Sequence, residues 1–248
     1  MIPRGRTIMP RMSSGETLTS PQALAEFIQR VPLLADMPEA ERQTLRAHGR
    51  LDSFEAPADI FRQGDVADRL WIVAQGEVKI VRQDEGGREI ILEVITPGEV
   101  FGGAAIFLPE HPATARPLTP SVETMSFPSE GYAQALAGSP ATALKIIRML
   151  GLRLHSTLKM NQLAGERVER RMAFILLKMA GVCGRPDPDG ILLTVPLTRQ
   201  DLADMAGTTI ETAIRMLSRF QTEGLVSTRK GGHLVLRDEA RLKDIARA

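Results

Sequence analysis

The chain carries one cysteine, Cys183. A single thiol forms no internal disulfide and cannot supply the four thiolates of an iron–sulfur cluster. Zinc sites rich in cysteine are excluded with them. At the apolar end of a helical stretch, Cys183 reads as a small buried hydrophobe. Long apolar runs are missing too, and none approaches the ~20 residues that a membrane span needs. The leader MIPRGRTIMPRMSSGETLTS lacks the apolar core of a secretory signal. It reads as a flexible segment, so a cytoplasmic location without a membrane partner is expected.

Histidine is scarce, with four residues at 48, 111, 155 and 233. A cupin-like catalytic metal site wants two histidines close in sequence plus a third, and these four are scattered. Neither a phosphate loop nor a nucleophile elbow is present. No residue is assigned a catalytic role, and an enzyme is not expected. An excess of charge of either sign is also lacking, the formal net charge being +1. A balanced total says little about nucleic acid, because basic residues can gather in one patch. Seven Lys or Arg stand against two Glu between Ala141 and Arg171, which suits a polyanion and a solvated helix equally.

What is there is ordinary in amount and ordered in arrangement. With 248 residues, 43% of them hydrophobic, the chain can bury one large core or two modest ones. From Pro21 to about Arg50 the spacing is helical, with Pro32 and Pro38 breaking it into short pieces. Leu51 to Pro128 changes rhythm. Short apolar runs such as LWIVAQGEVKIV, EIILEVITPGEVFG and VETMSFP are separated by glycines at 64, 76, 86, 87, 98 and 102. Such runs predict a small antiparallel sandwich or barrel. DEGGRE between two of them predicts a hairpin turn.

Pro140 opens a long helical stretch. Leu144, Ile147, Gly151, Leu154, Leu158, Asn161 and Gly165 step by 3, 4, 3, 4, 3 and 4 residues. That is heptad spacing, and one such stripe packs along another helix. Gly151 and Asn161 interrupt it; glycine lets backbones approach and asparagine can fix register. The stripe is read as a homodimer seam, with packing onto the chain's own barrel as the alternative. GERVERRMAFILLKMAGVCG is a second helix ending at Gly184, and RPDPDG is a linker or hairpin turn.

LTRQDLADMAGTTIETAIRMLSRFQTEGLV then reads as two helices with a tight turn at Gly207. Thr198 and Asp201 can cap the first helix, whose apolar residues are Leu202, Met205 and Ala206. Thr208 or Thr209 can cap the second. On that helix Ala213, Met216, Leu217 and Phe220 share one side and face a core. Ile210, Glu211, Ile214 and Arg215 share the other. A helix-turn-helix presents the start of its second helix to the DNA major groove. Arginine there can grip guanine, glutamate can accept from the cytosine amino group, and isoleucine can touch a thymine methyl. Thr198, Arg199 and Thr209 are placed to hold phosphates. LVSTRKGGHLVL reads as a two-stranded wing turning at Gly231–Gly232.

In the order barrel, long helix, winged helix, the chain resembles the Crp/Fnr transcription regulators over about residues 30–240. FRQGDVADRLWIVAQGEVKIV, GREIILEVITPGEVFGGAAIF and LTRQDLADMAGTTIETAIRML carry the resemblance. It implies an α+β fold of four parts. Residues 1–20 are a leader, 21–138 a cyclic-nucleotide-binding-like antiparallel β-roll with flanking helices, 139–165 a dimerisation helix, and 166–248 a winged helix-turn-helix. It also implies double-stranded DNA as partner, bound by a homodimer at an inverted repeat with TTG-like half-sites, and RNA polymerase if the protein activates. Glu211 and Arg215 fall on the family's base-reading glutamate and arginine. The cyclic-AMP branch has an arginine where Ile210 stands, and the Fnr branch an apolar residue. Ile214 replaces a serine common among Fnr-like proteins, at the position that bears on the outer base.

The effector pocket implied by the resemblance is lined by Phe101, Gly102, Gly103, Ala113 and Thr114. The family's cyclic-nucleotide pocket has a glutamate for the ribose and an arginine for the phosphate where Gly103 and Ala113 stand. An unpaired phosphate is costly to bury, so cyclic AMP is not expected. Arg116 would have to act from another position. FGGAAIFLPEHPATARPLTPS looks most like the NnrR/Dnr branch, which implies control by nitric oxide, through haem, of denitrification or nitrogen-oxide genes. Haem needs an axial ligand, and His111, His155 and His48 are the candidates; His233 lies in the wing. The alternative is an effector-free or unknown-small-ligand regulator whose barrel is a dimer scaffold.

Overall fold

The computed structural model of the chain describes residues 27–29, 31–35, 37–83, 87, 89–103, 107–163 and 165–247, the side chains of 32, 33, 153, 156, 157 and 159–163 aside. The leader therefore lies outside the described residues. So does most of the DEGGRE turn, although Gly87 shows the positive φ (78°) that the turn predicts. Two compact units divide the chain inside the long helix, between residues 153 and 154.

The N-terminal unit starts with α1 (Pro32–Ala35) and α2 (Glu39–His48). Pro32 suits a first helical position, where no intrahelical N–H bond is lost. Glu39 and Glu41 in the first turn of α2, with Arg46 and His48 in the last, match the helix dipole at both ends. Seven strands follow: β1 (Arg50–Glu55), β2 (Arg69–Gln75), β3 (Val78–Gln83), β4 (Glu89–Ile95), β5 (Val100–Phe101), β6 (Thr114–Pro117) and β7 (Ser121–Pro128). They form a four-stranded sheet in the order β1-β7-β2-β5 and a three-stranded sheet β4-β3-β6. The pairings β1–β7, β2–β7 and β3–β6 are antiparallel. These are the small antiparallel sheets that the glycine-punctuated runs predict, arranged as the β-roll that the resemblance implies.

The run LWIVA on β2 is apolar on both faces because both faces are covered. Leu70, Ile72 and Ala74 join a core with Phe27, Ile28, Leu34, Leu45, Phe127 and Tyr132, from the helices and the sheet. Trp71 and Val73, on alternate positions, join Phe61, Val78, Ile95, Phe101, Ala115 and Val122 in a second cluster. The helix α3 (Ser129–Ala137) follows β7 in this unit.

The long helix α4 runs from Pro140 to Leu163. Its Thr142 is fully buried, with its hydroxyl 2.8 Å from that of Ser139, and Ile146 packs against the first core. The stripe lies on other positions. Leu144, Ile147, Leu154 and Leu158 are 66%, 63%, 61% and 52% exposed. Leu144 and Ile147, which lie in the same unit as the β-roll, are therefore not packed onto it.

The C-terminal unit contains α5 (Val168–Cys183), the hairpin β8 (Gly184–Asp187) and β9 (Gly190–Leu193), α6 (Arg199–Ala206), α7 (Ile210–Thr222), β10 (Val226–Thr228), β11 (Leu234–Leu236) and α8 (Glu239–Arg247). Cys183 is buried and its thiol donates to the Met179 carbonyl, as a small core residue does. RPDPDG proves to be the turn of a hairpin, and it widens the wing into a four-stranded sheet, β10-β11-β9-β8. Pro186 is tolerated because β8 is an edge strand. Among the described residues no helix is long and apolar enough to cross a membrane.

Candidate nucleic-acid interface and sensory pocket

The two helices α6 and α7 are set by their caps. Thr198 closes a capping box: its hydroxyl oxygen accepts from the Asp201 N–H (3.0 Å), and the Asp201 carboxylate accepts from the Thr198 N–H (3.0 Å). The Thr198 hydroxyl also donates to that carboxylate, at 2.6 Å. Both donors of Thr198 are thus committed to the helix start, and Arg199 is the cation beside it. Gly207 ends α6 with φ 57° and ψ 46°, the left-handed conformation that glycine adopts without a Cβ penalty. Thr209, not Thr208, caps α7 by accepting from the Thr212 N–H at 3.3 Å.

On α7 the apolar side is Ala213, Leu217 and Phe220, all buried, with Met216 half-buried at the margin. The opposite side carries the quartet expected to face outward. Glu211, Ile214 and Arg215 are exposed, and Ile210 is half-buried. The Glu211 carboxyl is held below its ordinary pKa by its own backbone N–H and by the Thr209 hydroxyl. It stays ionised at neutral pH in the first turn, where the helix dipole favours a negative charge. Among the described residues Arg215 has no hydrogen-bond or ion-pair partner. One turn on, Arg219 is tied to Glu223 at 2.7 Å and to Glu169 at 3.1 Å. Arg215 is therefore the guanidinium of α7 that is open to a ligand.

The wing is braced at its tip. Arg229 bridges Asp187 (2.7 Å) and Asp189 (2.9 Å) on the β8–β9 hairpin, leaving Lys230 exposed at the turn. His233 lies 3.1 Å from the Leu193 carbonyl and has a structural place in the wing.

In the β-roll, Phe101 and Ala113 are buried, and Gly103 and Thr114 are half-buried. Gly102 has φ 71°, and a Cβ there would lie 2.8 Å from the Trp71 ring. The Thr114 hydroxyl accepts from the Gln63 N–H at 3.0 Å. Arg116 is already paired with Asp59 at 2.9 Å, so it does not stand ready to replace the arginine absent at Ala113.

The histidine candidates separate sharply. His48 is exposed and lies 2.9 Å from the Thr44 carbonyl, and His155 is exposed on α4. His111 is 2% exposed, and among the described residues neither ring nitrogen has a hydrogen-bond partner. Its ring stacks on Phe61 at a centroid distance of 3.8 Å, with Trp71 at 5.7 Å. Burial pushes the His111 pKa down, against the raising effect of Asp65 and Asp68. The imidazole is held neutral, the form that binds a metal. Sequence spacing holds no sign of this nest, because Trp71 and Phe101 meet by the pairing of β2 with β5, and Phe61 and His111 by bonds between the loops before β2 and β6.

A β-roll, a long helix with an exposed apolar stripe and a winged helix-turn-helix define a DNA-binding regulator as a class. Residues 51–139 match the cyclic nucleotide-binding domain, and residues 170–245 match the Crp-like helix-turn-helix domain. A cyclic AMP receptor protein of Thermus thermophilus is 30% identical over 189 residues, 75% of this chain and 83% of that protein. A global nitrogen regulator of Synechocystis is 30% identical over 184 residues, 73% of this chain and 81% of that one. FixK2 from Bradyrhizobium japonicum shares the fold with a TM-score of 0.72 at 24% identity, over 81% of this chain and 98% of that one. The chain belongs to the Crp/Fnr family and is a Crp-like DNA-binding transcription regulator.

Proposed function

We propose that the protein acts as a homodimer that reads an inverted repeat with TTG-like half-sites through α7. The observation that supports this most is the exposed, unpartnered Arg215 beside an ionised Glu211 on the first turns of a capped helix. Arg215 grips the guanine, Glu211 accepts from a cytosine amino group, and Ile210 and Ile214 lie against thymine methyls. Arg199 and Thr209 hold phosphates and set register, while Thr198, whose two donors are taken by Asp201, fixes the start of α6 beside them. The two copies pair along Leu144, Ile147, Gly151, Leu154 and Leu158, with Asn161 on the same heptad. Two-fold symmetry of the protein then matches that of the repeat.

The signal that supports the pocket best is one other than cyclic AMP. Gly103 and Ala113 supply neither anchoring group, and Arg116 is engaged by Asp59. Calorimetry of the full chain with cyclic AMP is expected to give no heat of binding at micromolar concentrations. Micromolar affinity would contradict this and point to Arg116 leaving Asp59.

Within the family we favour nitric oxide sensed through haem, as in the NnrR/Dnr branch, with nitrogen-oxide genes as the regulon. His111 supports it: a buried imidazole whose ring nitrogens have no partner among the described residues could ligate the iron, and the exposed His48 and His155 do not share that setting. Haem would supply the gas-binding iron, and His111, Phe61, Trp71 and Phe101 would hold it. The tight Phe61–His111 stack favours a second reading, in which the nest is filled and the barrel is a scaffold or takes a small ligand. Absorbance after haem addition, with and without nitric oxide, decides. A Soret band that His111→Ala abolishes is expected; no band, or one unchanged by the substitution, removes the haem reading.

A further inference from the structure

The run ERVERR, residues 166–171, reads in sequence as part of a solvated basic patch. In the folded unit Glu169, Arg170 and Arg171 turn to main-chain carbonyls and ion pairs. Arg171 donates to main-chain carbonyls on two segments. Its Nε donates to Ala206 (2.8 Å), one terminal nitrogen donates to Glu166 (2.7 Å), and the other approaches Gly207 (3.5 Å). The Ala206 and Gly207 carbonyls stand at the C-terminal end of α6, where carbonyls lack helical partners and a cation is favoured. Glu166 lies in the short segment that joins the long helix α4 to α5. One planar fork therefore joins that segment to the turn from which the reading helix starts.

Its neighbours act in the same sense. Glu169 pairs with Arg219 on α7 (3.1 Å), and Arg219 also pairs with Glu223 (2.7 Å) at the far end of that helix. Arg170 pairs with Glu166 (2.9 Å) and donates to the Ala246 carbonyl of α8 at 3.2 Å. Three consecutive residues on the first turn of α5 thus hold the turn that leads into α7, the far half of α7 and the last helix.

We infer that Arg171, supported by Glu169, is a positioning residue for DNA recognition: it fixes the pose of α7 against the end of the dimerisation helix. This rests on the DNA-reading proposal above. A lysine cannot do the work, because a point charge caps one helix end but cannot span carbonyls on two segments. With the link intact, the two reading helices of a dimer keep a fixed separation and select the half-site spacing. Without it, each copy still reads its half-site but tolerates a wrong spacing.

Arg171→Met and Arg171→Lys in the full chain test this on three duplexes: the inverted repeat, the same repeat with one base pair inserted at its centre, and a scrambled sequence. Both variants are expected to lose roughly fivefold or more of the preference for the first duplex over the second, at unchanged scrambled-DNA affinity. A spacing preference kept by both variants, or by Arg171→Lys alone, overturns the inference. If the wild type fails to prefer the repeat over scrambled DNA, the DNA-reading proposal fails instead. Amide hydrogen exchange without DNA then still judges the link. Exchange at residues 165–167 and 206–209 should rise together in both variants, and unchanged exchange overturns the inference.

Discussion

A chain carrying Leu154→Glu with Leu158→Glu is expected to sediment as a monomer and to lose about two to four powers of ten in affinity for the inverted repeat. The reason lies on α4. Its inward side is satisfied within the chain by Thr142 and Ile146, while Leu144, Ile147, Leu154 and Leu158 stand more than half exposed on heptad positions. Fully burying a leucine side chain gains about 1.5–3 kcal/mol, and two copies of this stripe bury several at once. A glutamate at the same place must be desolvated without a partner, so the substitution removes the gain and adds a cost. The substitutions lie at exposed positions, so the folded monomer should keep its thermal stability. A dimer that survives in sedimentation would place the interface elsewhere.

Arg215→Ala is expected to cost about 1–3 kcal/mol on the cognate repeat and to relax the choice of base at one position in each half-site. The side chain has no partner among the described residues of its own chain, so removing it breaks nothing in the fold. The loss is confined to DNA. Arg199→Ala provides the contrast: taking a cation away from a phosphate weakens all sequences alike and shallows the salt dependence by about one unit of slope. Titrations of both variants on cognate and scrambled duplexes at several salt concentrations separate the two roles. An equal loss on both duplexes for Arg215→Ala would make Arg215 a phosphate-binding residue.

Much of this was legible because it is local or periodic. The Thr198–Asp201 box, the turn at Gly207 and the apolar side of α7 each depend on residues within a few positions of one another, and they stand where the spacing places them. The same holds for the heptad stripe, whose exposure follows from residues that repeat along one helix. Met216 drifts to the margin of the core side because an α-helix turns about 100° per residue and the apolar face is narrow. What stayed hidden is what long-range pairing creates. The Phe61–His111 stack needs the loops before β2 and β6 to meet, through the bonds from the Gly64 N–H to the His111 carbonyl and from the His111 N–H to the Asp65 carbonyl. The clamp of Arg171 on Ala206 spans 35 residues, so charge counting along 141–171 finds only a basic patch.

Selection of binding sites from random duplex DNA by the full-length protein tests the central claim most directly. Two inverted TTG-like triplets are expected to be enriched, with half-site centres about one helical turn apart, ~10–10.5 base pairs. The enriched guanine should become degenerate when the selection is repeated with Arg215→Ala. Enrichment of an unpaired or asymmetric motif, or of no motif at all, would contradict a symmetric dimer reading DNA through this face of α7.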